Sequence, residues 1–426
     1  MSKNYIGVSL SSLSSPSSLT SLSALVLAAI ACPAQAAAPL KIALVETLSG
    51  PQASTGLLYR AAVKYEMDRI NAAGGWNGQA VQLAEYDNQG GPAGASDKVK
   101  AAIAAGAQII IQGSSSAVSG QITEDVRKHN LRNAGKEVLF MNMGGEALEL
   151  TGDKCHFYHF RFTTNAVIRV KTLVPAMKEA KELGNKVYAM NQNYSWGIDM
   201  DKAIKDDAAA GGYTVVESTL HDVNKIQDFS PYVAKIKASG ADTVLTGNWS
   251  NDLLLLMKAT RAAGLKVRFG TVFLDQPGNI GNAGDTALGH FISHAFNIET
   301  NKATEEFATD YKAKTGHFPT FIEPQTVFGM QMLGEALKQV KPSGDKINVT
   351  ELAKALEKVR IETPMGETSI RAADHQVVLP IVVSRVEKNV KYKVDDTDMG
   401  FKVIKKFSGE DAVNPVQTSC KMQRPS

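Results

Sequence analysis

The chain has 426 residues, of which 44% are apolar and 21% charged, and its formal net charge is +3. Near-neutral charge without charge blocks leaves no electrostatic footprint for nucleic acid or a membrane surface. No apolar run reaches the ~18 residues of a spanning helix, and the length predicts two or more lobes rather than one core.

Residues 1–36 read as an export signal. A Ser-rich stretch leads into Ala24-Leu25-Val26-Leu27-Ala28-Ala29-Ile30-Ala31, too short to span a bilayer, and Ala34-Gln35-Ala36 supplies a small-x-small cleavage pattern. Lys3 is the only charge before it. Cys32 raises a lipoprotein reading, but Ala29-Ile30-Ala31 lacks the usual Leu, so the expected destination is the periplasm without a lipid anchor. Beyond the signal, 45 basic residues balance 43 acidic ones.

The stretch 41–92 predicts a β–α–β unit. A strand over 42–45 meets Leu48-Ser49-Gly50-Pro51, an amphipathic helix follows, and Gly74-Gly75-Trp76-Asn77-Gly78 turns into a strand over 81–86. Further strands are predicted at 108–111, 138–142, 186–190, 214–218, 243–246 and 267–272. Helices fall between them at 93–105, 119–129, 167–183, 197–210, 229–238 and 252–263. About 30 residues per β–α pair is the signature of parallel, doubly wound sheets, and continuous apolar strands fit burial on both faces. The alternation breaks at 151–166, which carries no periodicity, and again at 290–300. After a mostly helical block over 303–359 the chain turns β-rich, with strands expected over 377–386, 391–394 and 401–406. Two parallel sheets with more than one crossing between them fit this pattern better than one large sheet.

Two cysteines remain beyond the signal, Cys155 and Cys420. An exported chain with one possible pair is expected to form it, the alternative being two free thiols. No CxxC or ligand cluster supports a metal or redox site, and His156 and His159 read as stray loop histidines.

Hydrolase, zincin, P-loop and dinucleotide motifs are absent from the sequence. Instead, polar rims stand where strands end, the place where open α/β sheets bind ligands. The first is Glu46-Thr47-Leu48-Ser49-Gly50-Pro51, followed by Ser54 and Thr55. The second, Ser114-Ser115-Ser116, puts hydroxyls and free N–H groups at a helix N-terminus, suited to a carboxylate; simple N-capping would need only one serine. The third is Gly144-Gly145-Glu146, whose glycines let a ligand approach the backbone. In the second half, Tyr194, Trp196, Trp249 and Asp275 stand at strand ends, the aromatics suggesting one wall of a cleft.

These residues resemble the leucine/isoleucine/valine-binding family, the type I periplasmic solute-binding proteins of ABC importers. The similarity runs over roughly 40–380 and is carried by Leu48-Ser49-Gly50-Pro51, Asn71-Ala72-Ala73-Gly74-Gly75-Trp76-Asn77-Gly78, Tyr86-Asp87-Asn88, Glu149-Leu150-Thr151, Asn193-Tyr194, Ala262-Ala263-Gly264-Leu265-Lys266 and Thr363-Pro364-Met365-Gly366. It implies an α/β fold of two doubly wound parallel-sheet lobes joined by a three-crossover hinge. The expected N-terminal lobe is 39–162 plus 297–376, and the C-terminal lobe 163–296 plus 377–426. By position, Ser115 would hold a ligand carboxylate, Gly144 would offer backbone, Tyr194 would cover the ligand, and Asp275 would hold an α-ammonium. Two positions depart from the pattern: Thr55 replaces an aromatic residue, and Glu146 replaces a hydroxyl, where its charge would repel an anion.

The function implied is an extracytoplasmic component of an ABC importer, monomeric and without cofactor, that binds an amino acid or related small polar compound and docks on membrane permease subunits. A ligand-sensing subunit of the same fold is the nearest alternative. A periplasmic enzyme using Glu46, Glu146 or Asp275 is the alternative of a different class.

Overall fold

β1 (Lys41–Glu46) is buried from Ile42 onward, as its unbroken apolar run requires. α1 (Ala53–Ala72) follows, and β2 (Gln82–Asp87) returns parallel to β1. The computed structural model to which these elements belong describes residues 38–343 and 346–425. The expected signal at 1–36, including Cys32, lies outside the described residues.

α2 (Pro92–Ala104), β3 (Ile109–Gln112), α3 (Ser116–Arg132), β4 (Leu139–Asn142) and β5 (His159–Arg161) extend the first sheet. The chain then crosses to a second sheet. There it builds α4 (Ala166–Glu179), β6 (Lys186–Gln192), α5 (Ser195–Gly211), β7 (Thr214–His221), α6 (Ser230–Ala238), β8 (Thr243–Leu245), α7 (Ser250–Ala262), β9 (Arg268–Thr271), a short α8 (Asn279–Ala283) and β10 (Phe291–His294). A second crossing leads through α9 (Lys302–Thr315), α10 (Ile322–Leu337), a ribbon of β11 (Pro342–Ser343) and β12 (Lys346–Ile347), and α11 (Val349–Leu356). β13 (Arg360–Thr363), β14 (Gly366–Arg371) and β15 (Gln376–Val378) then complete the first sheet. The third crossing, at Leu379-Pro380, gives β16 (Ile381–Glu387), β17 (Gly400–Phe407) and α12 (Gly409–Ala412) to the second.

The strand orders are β13-β14-β15-β5-β4-β3-β1-β2 and β17-β16-β10-β9-β8-β6-β7, parallel except toward the β13 and β17 edges. This is the expected two-lobed α/β architecture, each lobe being one sheet with its helices. β1 and β3 are neighbours at a point where strand order reverses, and so are β6 and β8. Ligands of open α/β sheets bind at such points, outside the strand C-termini.

Three expectations need correction. Residues 151–166 contain a central strand, β5, whose sequence His-Phe-Arg hides it. Arg161 is fully buried and donates to Gln376 Oε1 at 2.7 Å, Ala147 O at 2.6 Å and Thr151 Oγ1 at 2.5 Å. Three neutral acceptors satisfy its fork, and burial lowers its pKa to about 10. Residues 391–394, expected as a strand, are a loop, because the N–H groups of Lys391 and Tyr392 donate to the Glu299 carboxylate at 2.7 and 3.0 Å instead of to a neighbouring strand. The tail, assigned to the second lobe, ends on the first. Gln417 Nε2 donates to Leu148 O at 2.7 Å, Arg424 Nη1 to Glu357 Oε2 at 3.0 Å, and Cys420 is disulfide-bonded to Cys155, with Cα atoms 5.5 Å apart. A closure spanning 265 residues contributes at most about 5.6 kcal/mol in the loop-entropy picture.

His156 and His159 beside this bridge are packing residues. His156 Nε2 lies 2.9 Å from Thr123 Oγ1, and His159 stacks on Phe140. Burial lowers the His156 pKa to about 4. The unfolded chain therefore binds more protons between about pH 6.5 and pH 4, and the stability held by neutral His156 is lost as pH falls through that window. His290, lowered to about 3, acts in the same direction. Urea midpoints measured across this range should show a shallower acid loss in His156→Asn than in wild type; an unchanged slope would remove His156 from the account.

Candidate ligand-binding cleft

The C-terminal ends of β1, β3 and β4 face those of β6 and β8 across a narrow cavity of about 20 Å³, its walls standing close together. Of the expected site residues, Thr55, Ser114, Ser115, Ser116, Gly144, Glu146, Tyr194 and Trp249 line it. Gly145 and Asp275 do not.

The serine loop is built from beneath. Glu46 is fully buried and accepts the N–H groups of Thr47 and Gly113, both at 2.7 Å, and that of Ser114 at 3.2 Å. Desolvation raises its pKa, while the hydrogen bonds oppose the rise. Ser116 Oγ accepts from Glu146 N and Ala147 N at 3.0 and 3.1 Å, tying the third rim to the start of α3. The Ser114 hydroxyl is buried beside the Glu46 carboxylate. Ser115, the residue before α3, holds φ at +75°, a conformation a non-glycine residue adopts at a cost and one found at ligand sites. Of the three serines, Ser116 therefore braces the loop, while Ser114 and Ser115 present it.

Gly144 and Gly113 are glycines because of Tyr59, a residue the sequence did not single out. A Cβ on Gly144 would sit 1.9 Å from Tyr59 Oη, and one on Gly113 would sit 2.4 Å from the ring. Tyr59 lies one turn after Thr55 on the same face of α1, so the aromatic missing at 55 is supplied at 59. The spacing of four was the available signal. Gly145 instead donates its N–H to Asn142 Oδ1 at 2.6 Å, and a Cβ there would meet Ser119 Oγ at 2.3 Å; it shapes the turn.

Glu146 is not bare. Arg169, on α4, donates Nη2 to Oε1 at 2.6 Å and Nε to Oε2 at 3.0 Å, and Thr163 Oγ1 donates to Oε1 at 2.9 Å. Arg169 is fully buried, gives Nη1 to Ser293 O at 2.6 Å, and lies 4.6 Å over the Phe321 ring. The pair neutralises the charge that would repel an anion. Arg169 was missed; the signal was a charge amid Ala166, Val170 and Leu173, on the buried side of its helix.

The second lobe contributes an aromatic wall. Trp249 Nε1 donates to Tyr194 Oη at 2.8 Å, fixing both rings, and burial raises the Tyr194 pKa. Trp196 Nε1 donates to Gly247 O at 2.8 Å behind them, and Phe273 packs edge-on against Trp196. Both rings also line the cavity. Asp275, expected to hold an ammonium here, turns away: its Oδ2 accepts Phe321 N at 3.0 Å and borders a separate cavity. Of the carboxylates of an enzymatic alternative, Glu146 lines the cavity, Glu46 lies beneath its serine loop, and Asp275 borders the separate cavity.

Direct bonds join the lobes beside the cleft, from Ser250 Oγ to Pro51 O at 3.3 Å and from Leu148 N to Asp199 Oδ2 at 2.6 Å. The two lobes are therefore in direct contact beside the cavity.

Fold and site together define a two-lobed protein with a cavity between opposed strand ends. A family model for periplasmic binding proteins matches residues 39–391, and the chain belongs to that family, in its leucine/isoleucine/valine-binding group. Leu/Ile/Val-binding protein homolog 4 of Brucella abortus (strain 2308) is 63% identical over 390 residues, covering 91% of this chain and 94% of the relative. The crystal structure of the leucine-, isoleucine-, valine-, threonine- and alanine-binding protein of Brucella ovis, in a closed conformation, has a TM-score of 0.86 and 63% identity, covering 91% of this chain and 100% of that one. The protein described by the same five amino acids in Pseudomonas aeruginosa is 25% identical over 356 residues, 80% of this chain and 88% of its own.

Proposed function

We propose that this chain is the periplasmic receptor of an ABC importer, exported by its N-terminal signal, and that it captures an amino acid with a short side chain between its lobes. The carrying observation is the cavity where the start of α3, with Ser114 and Ser115, faces the Tyr194–Trp249 pair. A ligand carboxylate would take the unspent N–H groups at that helix start and the Ser115 hydroxyl. The ammonium would lie against the aromatic faces and the remaining lone pair of Glu146 Oε2. Tyr59 fills the far side and leaves little room for a side chain. Closure would bury the ligand and display a joined two-lobe face to the permease, with the receptor acting as a monomer and without catalysis. The relatives' names support an amino acid as the ligand; they include valine, threonine and alanine together with the larger leucine and isoleucine.

A thermal-shift panel of amino acids and aromatic acids tests it. A ligand at 100 times its Kd stabilises by about 2.7 kcal/mol, visible as a rise of a few degrees. Alanine, threonine and valine should give that rise, and tryptophan and benzoate should not. No shift with any amino acid would sink the proposal.

A further inference from the structure

The single turn Leu148–Thr151 follows the third rim directly and is braced within the first lobe. Ser116 Oγ accepts the N–H groups of Glu146 and Ala147, and Arg161 donates to Ala147 O and Thr151 Oγ1. Gln417 of the C-terminal tail donates to Leu148 O at 2.7 Å, and the Cys155–Cys420 disulfide ties that tail down just beyond the turn. A Cβ at Gly152 would lie 3.0 Å from both Gln417 Oε1 and Ser419 Oγ, so tail and turn pack closely.

One N–H of this fixed turn is spent across the lobes. Leu148 N donates to Asp199 Oδ2 at 2.6 Å, where α5 of the second lobe packs against α3 and the turn. Among the described residues, the Asp199 carboxylate has no hydrogen bond within its own lobe. Burial raises its pKa; the Leu148 N–H is the foremost group opposing the rise, helped by Arg161 and Lys202, while Glu149 adds to it. Asp199 does not line the cavity, but Tyr194, which does, stands at the N-cap of the same helix. The bond therefore fixes the rim that carries Glu146 against the helix that carries Tyr194.

Given the reading of the cleft as a ligand site that the lobes close over, on which this rests, we propose that Asp199 is a positioning residue that latches the two lobes together, touching no ligand but slowing its escape. Parting the lobes returns both Leu148 N and the carboxylate to water, so the bond belongs to the joined arrangement and favours it alone. A hydrogen bond to an ionised acceptor is stronger than a neutral one. It is felt in dissociation, since the latch must break before the ligand leaves.

Amide exchange in the ligand-free chain tests the latch by itself. In Asp199→Ala the Leu148 amide should exchange about fivefold faster or more, while those of Glu146 and Ala147, held by Ser116, keep their rates. Stopped-flow dissociation of valine reads the consequence: about fivefold faster in Asp199→Ala, faster again in Leu148→Pro, and in the double variant no faster than in Asp199→Ala. Leu148→Pro takes away the donor and strands the half-buried carboxylate; Ala147 before it is extended, at φ −61° and ψ 143°, and Pro fits a first helical position. Leu148→Ala, which keeps the N–H, should release valine as wild type does. Unchanged Leu148 exchange, equal acceleration at all three amides, or additive effects of the two single variants on dissociation would overturn the latch. Exchange that depends on Asp199 in a chain that binds no amino acid would uphold the latch and overturn the reading of the cleft.

Discussion

Replacing Arg169 by Met is expected to destabilise the protein by about 3–5 kcal/mol, because it strands a buried carboxylate. Glu146 and Arg169 are 2% and 0% exposed and share two hydrogen bonds. Without the guanidinium, Glu146 keeps only the Thr163 hydroxyl, and the Ser293 carbonyl loses its donor. Arg169 also fixes the carboxylate whose Oε2 is proposed to face the ligand ammonium, so affinity should fall together with stability. Glu146→Leu combined with Arg169→Met removes both charges, and a buried pair replaced by apolar side chains is often neutral. The double variant should therefore recover most of the lost stability, giving a strongly non-additive cycle in denaturant unfolding. Additive losses would mean that the pair is not coupled as its geometry requires.

Gly144→Ala should have the second largest effect. The added methyl would lie 1.9 Å from Tyr59 Oη and 2.7 Å from Gly113 O, so Tyr59 must leave its place in the cavity. Overpacking of this kind costs about 1–3 kcal/mol, and the displaced ring would deform the pocket. Tyr59→Leu in the same background should recover part of the stability, the contact with Gly113 O remaining, while enlarging the site and shifting preference from alanine and valine toward leucine and phenylalanine. Thermal unfolding and a competition panel on the three variants check this. Full affinity in Gly144→Ala alone would show that Tyr59 does not shape the pocket.

The alternating β–α frame was legible because doubly wound sheets force apolar strands between amphipathic helices, and period and length report that directly. β5 was not legible: Arg161 breaks the apolar run, and only the tertiary acceptors from Ala147, Thr151 and Gln376 make its burial tolerable. The serine and glycine rims stood out because strand ends concentrate ligand groups, and the cavity gathers most of them. The side chains that decide its charge and size, Arg169 and Tyr59, sit inside helices, where a residue's direction follows from packing rather than local pattern. Asp275 was misplaced because, beyond Thr271, the chain is irregular and strand alternation no longer assigns its direction. Phe273, two residues earlier, faces the cavity instead.

The central claim, a carboxylate-bearing ligand held at the start of α3, is most directly tested by calorimetric titration of valine into Ser115→Asp. Ser115 makes no side-chain capping bond, so the substitution removes none, and thermal unfolding of the variant checks that it is folded. Its charge would occupy the place proposed for the ligand carboxylate. The account predicts one site on the wild type and an affinity at least about a hundredfold weaker in the variant, a loss of about 2.7 kcal/mol. Unchanged affinity in Ser115→Asp would contradict it.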